Sequence, residues 1–122
     1  MGQPAPVFVV EDDEAVADGL VMLLTANGYA ARSFPSAEAF LADNTASWRC
    51  GLVDVQLPGM DGLALAEKLH AQGAPPPWLL IMTGRVTATV EQRAAAAGLP
   101  PVLSKPLDLP EVLAAVSSTF AH

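Results

Sequence analysis

The chain has 122 residues, of which 52% are hydrophobic and 16% are charged, and its net charge is −7. This is the size of one folded domain, and we expect a single domain over residues 1–122 with a core at about 7–120. The chain is too apolar to be disordered, and no stretch is long and apolar enough to be a membrane helix. With only six scattered Lys and Arg residues, direct binding to nucleic acid or an anionic membrane is not expected.

The beginning of the chain lacks the basic and apolar parts of a signal peptide. The single cysteine, Cys50, has no second cysteine with which to form an internal disulfide. Both features predict a cytoplasmic location.

Five short apolar segments alternate with segments of helical periodicity. The predicted strands cover residues 7–11, 29–34, 50–54, 78–82 and 101–104. This alternation predicts an α/β fold in which helices cover both faces of a parallel sheet.

Helix boundaries are predicted from capping residues and glycines. The first helix should end at Asn27 and Gly28, the second should begin at Ser36, and the third should stop near Gly73. The fourth should be capped by Thr87 or Thr89.

The last helix should begin at a capping box formed by Asp108 and Glu111. Its apolar stripe predicts five buried residues: Leu109, Val112, Leu113, Val116 and Phe120.

Polar side chains follow four of the predicted strands, at the point where each strand ends. They are Glu11, Asp12 and Asp13 after the first strand, Asp54 after the third, Thr83 after the fourth and Lys105 after the fifth. The carboxyl ends of parallel strands meet at one edge of a sheet, where ligands bind in open α/β folds. These side chains should therefore form one site.

The residue types at this edge suit phosphoryl chemistry. Neighbouring carboxylates repel one another by about 1 kcal/mol or more per pair, so a cation should compensate them. Carboxylate oxygens suit Mg²⁺, while Lys105 and Thr83 could bind phosphoryl oxygens. A carboxylate nucleophile, a metal, a lysine and a hydroxyl are the groups that form and stabilise an aspartyl phosphate. Each of these motifs alone is common in turns and helix caps. The prediction of an aspartyl phosphate site rests on their combination.

At these residues the chain resembles the receiver domain of two-component response regulators. The resemblance rests on four motifs, Val9-Val10-Glu11-Asp12-Asp13, Val53-Asp54-Val55-Gln56-Leu57-Pro58-Gly59-Met60-Asp61-Gly62, Met82-Thr83-Gly84 and Leu103-Ser104-Lys105-Pro106. It implies a doubly wound, flavodoxin-like three-layer fold with a five-stranded parallel sheet of order 2-1-3-4-5.

The resemblance also implies a role for each site residue. Asp54 corresponds to the phosphoacceptor, and Glu11 and Asp12 to the acidic pair that binds Mg²⁺ or Mn²⁺, Asp12 directly and Glu11 through water. The Gln56 carbonyl would be a further metal ligand. Asp13 lies beyond the pair and more plausibly caps the first helix.

Thr83 corresponds to the switch hydroxyl and Lys105 to the phosphate-binding lysine, with a cis Lys105-Pro106 bond. The implied partners are a histidine kinase or phosphotransfer protein, which donates the phosphoryl group, and a downstream effector protein or domain. The effector would bind the face made by the fourth helix, fifth strand and fifth helix. The oligomeric state is left open.

Three positions depart from the family pattern. Val102 stands where many relatives carry an aromatic switch residue, and Gln56 and Arg85 stand two residues after the phosphoacceptor and the threonine. Since neither Gln56 nor Arg85 is an obvious base, we expect a long-lived phosphoryl group that Arg85 shields or pairs with. We also expect the signal to leave through the Arg85 loop and the fourth helix.

Three other functions are alternatives for this chain. A phosphohydrolase of the haloacid dehalogenase type would need an acid at the position of Gln56 and room for a cap domain. A flavin carrier would need a phosphate-binding loop where this chain has acids. A receiver-like module that binds proteins without being phosphorylated remains the main alternative, because Val102 replaces the aromatic residue.

Overall fold

Strands and helices alternate along the chain, as the apolar periodicity predicts. The structure, a computed structural model, describes residues 5–43, 48, 50–72 and 78–120. In chain order the elements are β1 (Ala5–Val10), α1 (Glu14–Ala26), β2 (Tyr29–Phe34), α2 (Ala37–Leu41), β3 (Cys50–Asp54), α3 (Gly62–Ala71), β4 (Leu79–Thr83), α4 (Ala88–Ala96), β5 (Leu103–Ser104) and α5 (Leu109–Phe120). Within these described residues, none of the helices has the length and apolar character needed to cross a membrane.

The five strands form one parallel sheet in the order β2-β1-β3-β4-β5. This confirms the doubly wound topology that the resemblance implies. The strand order reverses between β1 and β3, so the ends of these two strands border the crevice where ligands bind in such folds. Val10 is paired with Val53 there, which places Glu11 beside Asp54.

Helices cover both faces of the sheet, and each face has its own buried cluster. One cluster joins the sheet to α2, α3 and α4 and includes Phe8, Phe34, Phe40, Val53, Leu65 and Ile81. The other joins it to α1 and α5 and includes Val9, Leu20, Leu24, Leu52, Val112 and Val116. Strands β3 and β4 are buried along their whole length, as expected for strands covered on both sides.

Short polar side chains cap the helices where the sequence predicts caps. Asp13 accepts hydrogen bonds from the amides of Ala15 and Val16 and so begins α1. Ser36 begins α2 in the same way. Of the two candidates for α4, Thr87 is the cap, because its hydroxyl accepts the Val90 amide at 3.2 Å. Helix α3 ends at Ala71, and the predicted stop at Gly73 lies outside the described residues.

Strand β5 is shorter than predicted, since it comprises only Leu103–Ser104 rather than residues 101–104. Pro100 and Pro101 precede it. A proline has no backbone N–H to give to a strand ladder, so the pairing with β4 starts only after them.

The predicted burial of Leu109 is wrong, since 49% of its surface is exposed. Leu109 begins α5 and faces an open cavity of about 330 Å³ against α1 that Val16, Gly19 and Leu20 also line. The apolar stripe identifies the face of α5 that packs on the domain, but a residue on that face is buried only where another side chain covers it. Opposite Leu109, α1 has Gly19, which supplies no side chain. Further along α5, Val112 and Val116 are buried as predicted, whereas Leu113 and Phe120 are half-buried.

Gly51 in β3 lies directly against the ring of Phe8 in β1. A Cβ placed on Gly51 would lie 2.1 Å from Cζ of Phe8. The Phe8 ring also stacks on Phe40 with 4.1 Å between ring centroids, so it cannot easily move away. Packing on this face therefore depends on the absence of a side chain at Gly51.

We predict that Gly51→Ala lowers the free energy of unfolding by about 1–3 kcal/mol or more, because it overpacks the core. Gly19→Ala is the matched control, since a Cβ there would meet nothing within 4 Å in an exposed part of α1. That control should raise stability by about 0.5–1 kcal/mol. Urea denaturation of both variants checks this, and equal effects would contradict the packing.

Candidate functional site

Three carboxylates meet at the carboxyl edge of the sheet. Glu11 directly follows β1 and Asp54 ends β3, and both are buried. Asp12 is exposed at the mouth of the site. One oxygen from each of the three carboxylates lies within 4.8 Å of the others, which is close enough for a metal ion to bind all three.

Lys105 joins two of these acids. Its Nζ donates to Oε1 of Glu11 at 2.5 Å and to Oδ2 of Asp54 at 2.9 Å. Its backbone amide donates to the Thr83 carbonyl at 2.8 Å, and the Lys105-Pro106 bond is cis, which confirms that prediction. The Lys105 ammonium group thus reaches Asp54 and Glu11 from the side of the sheet on which β4 and β5 lie.

Burial and ion pairing act against each other on these charges. Burial raises the pKa of the Glu11 carboxyl above its ordinary value, although hydrogen bonds from Lys105 and from the Asp13 amide oppose the shift. Burial also tends to lower the pKa of Lys105, but its bonds to Glu11 and Asp54 outweigh that effect and leave the pKa raised. The lysine therefore stays charged and balances part of the acidic cluster.

Thr83 lies at the end of β4, beside the strand that carries Asp54. Its hydroxyl is engaged with the next loop, since it accepts the Arg85 amide at 3.1 Å and lies 3.2 Å from the Arg85 carbonyl, to which it donates. The Arg85 side chain is exposed. Any new acceptor for the Thr83 hydroxyl would compete with the Arg85 carbonyl for its proton.

The loop after β3 returns tightly to Asp54. The Gln56 amide donates to Oδ1 of Asp54 at 3.0 Å, and the Gly62 amide donates to the Val55 carbonyl at 3.0 Å. A Cβ on Gly62 would lie 2.1 Å from the Asp54 carbonyl oxygen, so a larger residue does not fit. The sequence motif contained Gly62 but did not reveal this contact.

Val102 lies just before β5, at the opposite end of that strand from Lys105. It is half-buried and lines two cavities, one of about 620 Å³ against α5 and one of about 320 Å³ against α4. The structure therefore gathers Glu11, Asp12, Asp54 and Lys105 into one cluster next to Thr83, and it places Val102 on the side of the domain.

Comparison with known proteins identifies the family. The pattern that defines the response regulator receiver domain matches residues 7–117 of this chain. The chain therefore belongs to the response regulator receiver domain family.

Similar proteins are transcriptional regulators that carry additional sequence. The chain is 36% identical to the transcriptional regulatory protein FixJ of Azorhizobium caulinodans over 123 residues, which is 100% of this chain and 58% of FixJ. It is 31% identical to the transcriptional regulatory protein TdiR of Thauera aromatica, covering 98% of this chain and 53% of TdiR. The chain thus spans only a little over half the length of these relatives.

Solved structures agree with the fold. The response regulator StyR matches with a TM-score of 0.86 and 31% identity, over 98% of this chain and 60% of StyR. A CheY-like receiver domain protein from Methanospirillum hungatei matches with a TM-score of 0.89, over 97% of this chain and 94% of its own. At 24% identity, this second match supports the fold alone.

Proposed function

We propose that this domain accepts a phosphoryl group on Asp54 from the phosphohistidine of a partner kinase or phosphotransfer protein. The observation that carries the proposal is the double contact of Lys105 with Glu11 and Asp54. This contact brings the Asp54 carboxylate, a second acid and a cation within hydrogen-bond reach at the sheet edge, which supports a nucleophilic role for Asp54. The family membership agrees with this assignment.

In the transfer, an Asp54 carboxylate oxygen attacks phosphorus, a new O–P bond forms, and the N–P bond to the donor histidine breaks. Lys105 already contacts Oδ2 of Asp54, so its ammonium group is placed to pair with a phosphoryl oxygen. The Thr83 hydroxyl would exchange its bond to the Arg85 carbonyl for a phosphoryl oxygen. That exchange would release the loop after β4, and the domain would change the surface that it presents to a partner.

The acidic cluster fits a hard divalent cation. Glu11, Asp12 and Asp54 supply carboxylate oxygens, and we propose that the Gln56 carbonyl completes the protein ligands for Mg²⁺ or Mn²⁺. Such an ion supplies positive charge that offsets the phosphoryl oxygens. Because Lys105 neutralises only part of the cluster, the exposed Asp12 is available to a cation.

The output of the switch is proposed to be a protein contact. The α4, β5 and α5 face would bind a downstream effector protein or domain, and the acidic charge of the chain disfavours direct nucleic-acid binding by this part. The exposed Arg85 side chain is proposed to shield the phosphoryl group and prolong its lifetime.

We expect Mg²⁺ to stabilise the protein by linkage, by about 2.7 kcal/mol at a hundredfold excess over its Kd. Asp12→Asn should remove most of this gain, because it removes one charged ligand. Lys105→Ala should keep or increase the gain, since no ammonium group then neutralises Glu11 and Asp54. Thermal denaturation with and without Mg²⁺ measures these differences. A full gain in Asp12→Asn would place the metal elsewhere.

With acetyl phosphate and Mg²⁺, the wild-type protein should gain the mass of one phosphoryl group, and Asp54→Asn should not. Lys105→Ala should lose most of the modification, because its charge is needed when phosphoryl oxygens are present. Intact-protein mass spectrometry reads the result. Modification that persists in Asp54→Asn would move the nucleophile, and absence of modification in the wild type would favour the phosphorylation-independent binding module.

Beryllofluoride, a phosphoryl mimic, should shift amide resonances strongly at residues 83–89 and only modestly at 102–104 and along α5. Val102 is stiff at χ1 and too short to follow the movement of Thr83 as an aromatic ring would. Val102→Tyr tests the cause, since the flanking cavities leave room for a ring. The variant should extend the shifts to α5, and equally large shifts across that face in the wild type would contradict the prediction.

A further inference from the structure

A side chain from outside the sheet edge holds the loop that follows Asp54. Oε2 of Glu38, in the first turn of α2, accepts the Met60 amide at 2.9 Å across 22 residues of sequence. This bond is the main reason that the pKa of Glu38 is lowered. The carboxylate thus binds the loop in its charged form, which makes a stronger acceptor than a neutral group.

The contact occurs where the loop turns. Gly59 has φ of +74°, and a Cβ there would lie 2.6 Å from Oε2 of Glu38. The glycine therefore allows both the left-handed turn and the close approach of the carboxylate. Leu57, in the same loop, belongs to the buried cluster that also contains Ala37 and Phe40 of α2. Helix α2 and this loop thus contribute to the same buried cluster and are joined by one charged hydrogen bond.

We propose that Glu38 is a positioning residue for the site at Asp54: its carboxylate fixes the loop that presents the Gln56 carbonyl. This inference rests on the proposed function, because it concerns the same metal site. Gln56 is also bonded to Asp54 through its amide, so a displaced loop would move a proposed metal ligand and disturb the carboxylate together.

The geometry explains why this effect should appear in ligand binding more than in stability. Glu38 is exposed, and exposed charged contacts add little to the free energy of unfolding. Metal affinity depends more strongly on where the ligands lie, since mutating residues that orient metal ligands commonly lowers the affinity tenfold or more. Glu38 does not contact a proposed metal ligand and acts only through the loop backbone at Met60, so we expect a smaller effect on metal affinity.

The test compares Glu38→Ala with Glu38→Gln, whose amide oxygen can still accept the Met60 amide. By Mg²⁺ titration followed by NMR, Glu38→Ala should weaken binding about threefold to tenfold, and Glu38→Gln less than about twofold. Glu111→Ala is the matched control for losing one acid from the first turn of a helix, and it should leave the affinity unchanged. Without metal, the Met60 amide should exchange with solvent faster in Glu38→Ala, while Leu65 in α3 should keep its protection.

Equal Mg²⁺ affinity in Glu38→Ala and wild type would overturn the proposal, whether or not Met60 exchange changes. Equal weakening in Glu38→Gln and Glu38→Ala would also overturn it, since charge and not loop position would then be responsible. Absence of Mg²⁺ binding by the wild type would overturn it as well. Phosphorylation at Asp54 is measured separately by mass, so the proposed function can fail while the difference in affinity remains.

Discussion

The site depends on one electrostatic arrangement, in which a lysine ammonium group lies between two buried carboxylates. Burying Glu11 and Asp54 side by side is costly unless an opposite charge compensates them. Lys105 provides that charge from 94 residues away in sequence from Glu11, because it directly follows β5, which ends at the same edge of the parallel sheet as β1 and β3. The sheet order is therefore what makes the charge cluster tolerable.

The α/β class and the position of most candidate site residues could be predicted because both follow from local patterns, whereas the strand order was predicted from the family resemblance. Apolar runs locate the strands, and the polar residue that ends each run lies at the same edge once the strands are parallel. The pattern could not reveal where β5 begins pairing, because that depends on the prolines before it. It also could not reveal that about half of the Leu109 surface, 49%, stays exposed. The role of Glu38 had no sequence signal, since a glutamate in the first turn of a helix is ordinary and its contact with Met60 depends on how α2 lies against the loop.

Helix α4 is attached to the domain more weakly than the other long helices. Ala94 is its one buried residue, and Ala97 follows just beyond its end. Its polar attachment is Arg93, which forms a bidentate pair with Glu67 and lies 3.7 Å from Asp61. Because these charges are partly exposed, they add little stability. Elements with few buried contacts open at low free-energy cost, which suits α4 to transmit the proposed change at Thr83.

The charged cluster and the loop that carries Gln56 therefore differ in how firmly the fold holds them. Glu11 and Asp54 are buried at the ends of the neighbouring strands β1 and β3, and Lys105 directly follows β5, so strand packing places all three residues. The Gln56 carbonyl lies on a loop whose outer attachments are surface contacts, Glu38 with Met60 on one side and Arg93 with Asp61 on the other. A sequence change at either surface contact would act first on the loop, and it would reach Asp54 only through the hydrogen bond from the Gln56 amide. Under the proposed function, metal affinity and switching can then vary through surface residues of α2 and α4, while Asp54 and Lys105 stay constrained by the strand packing.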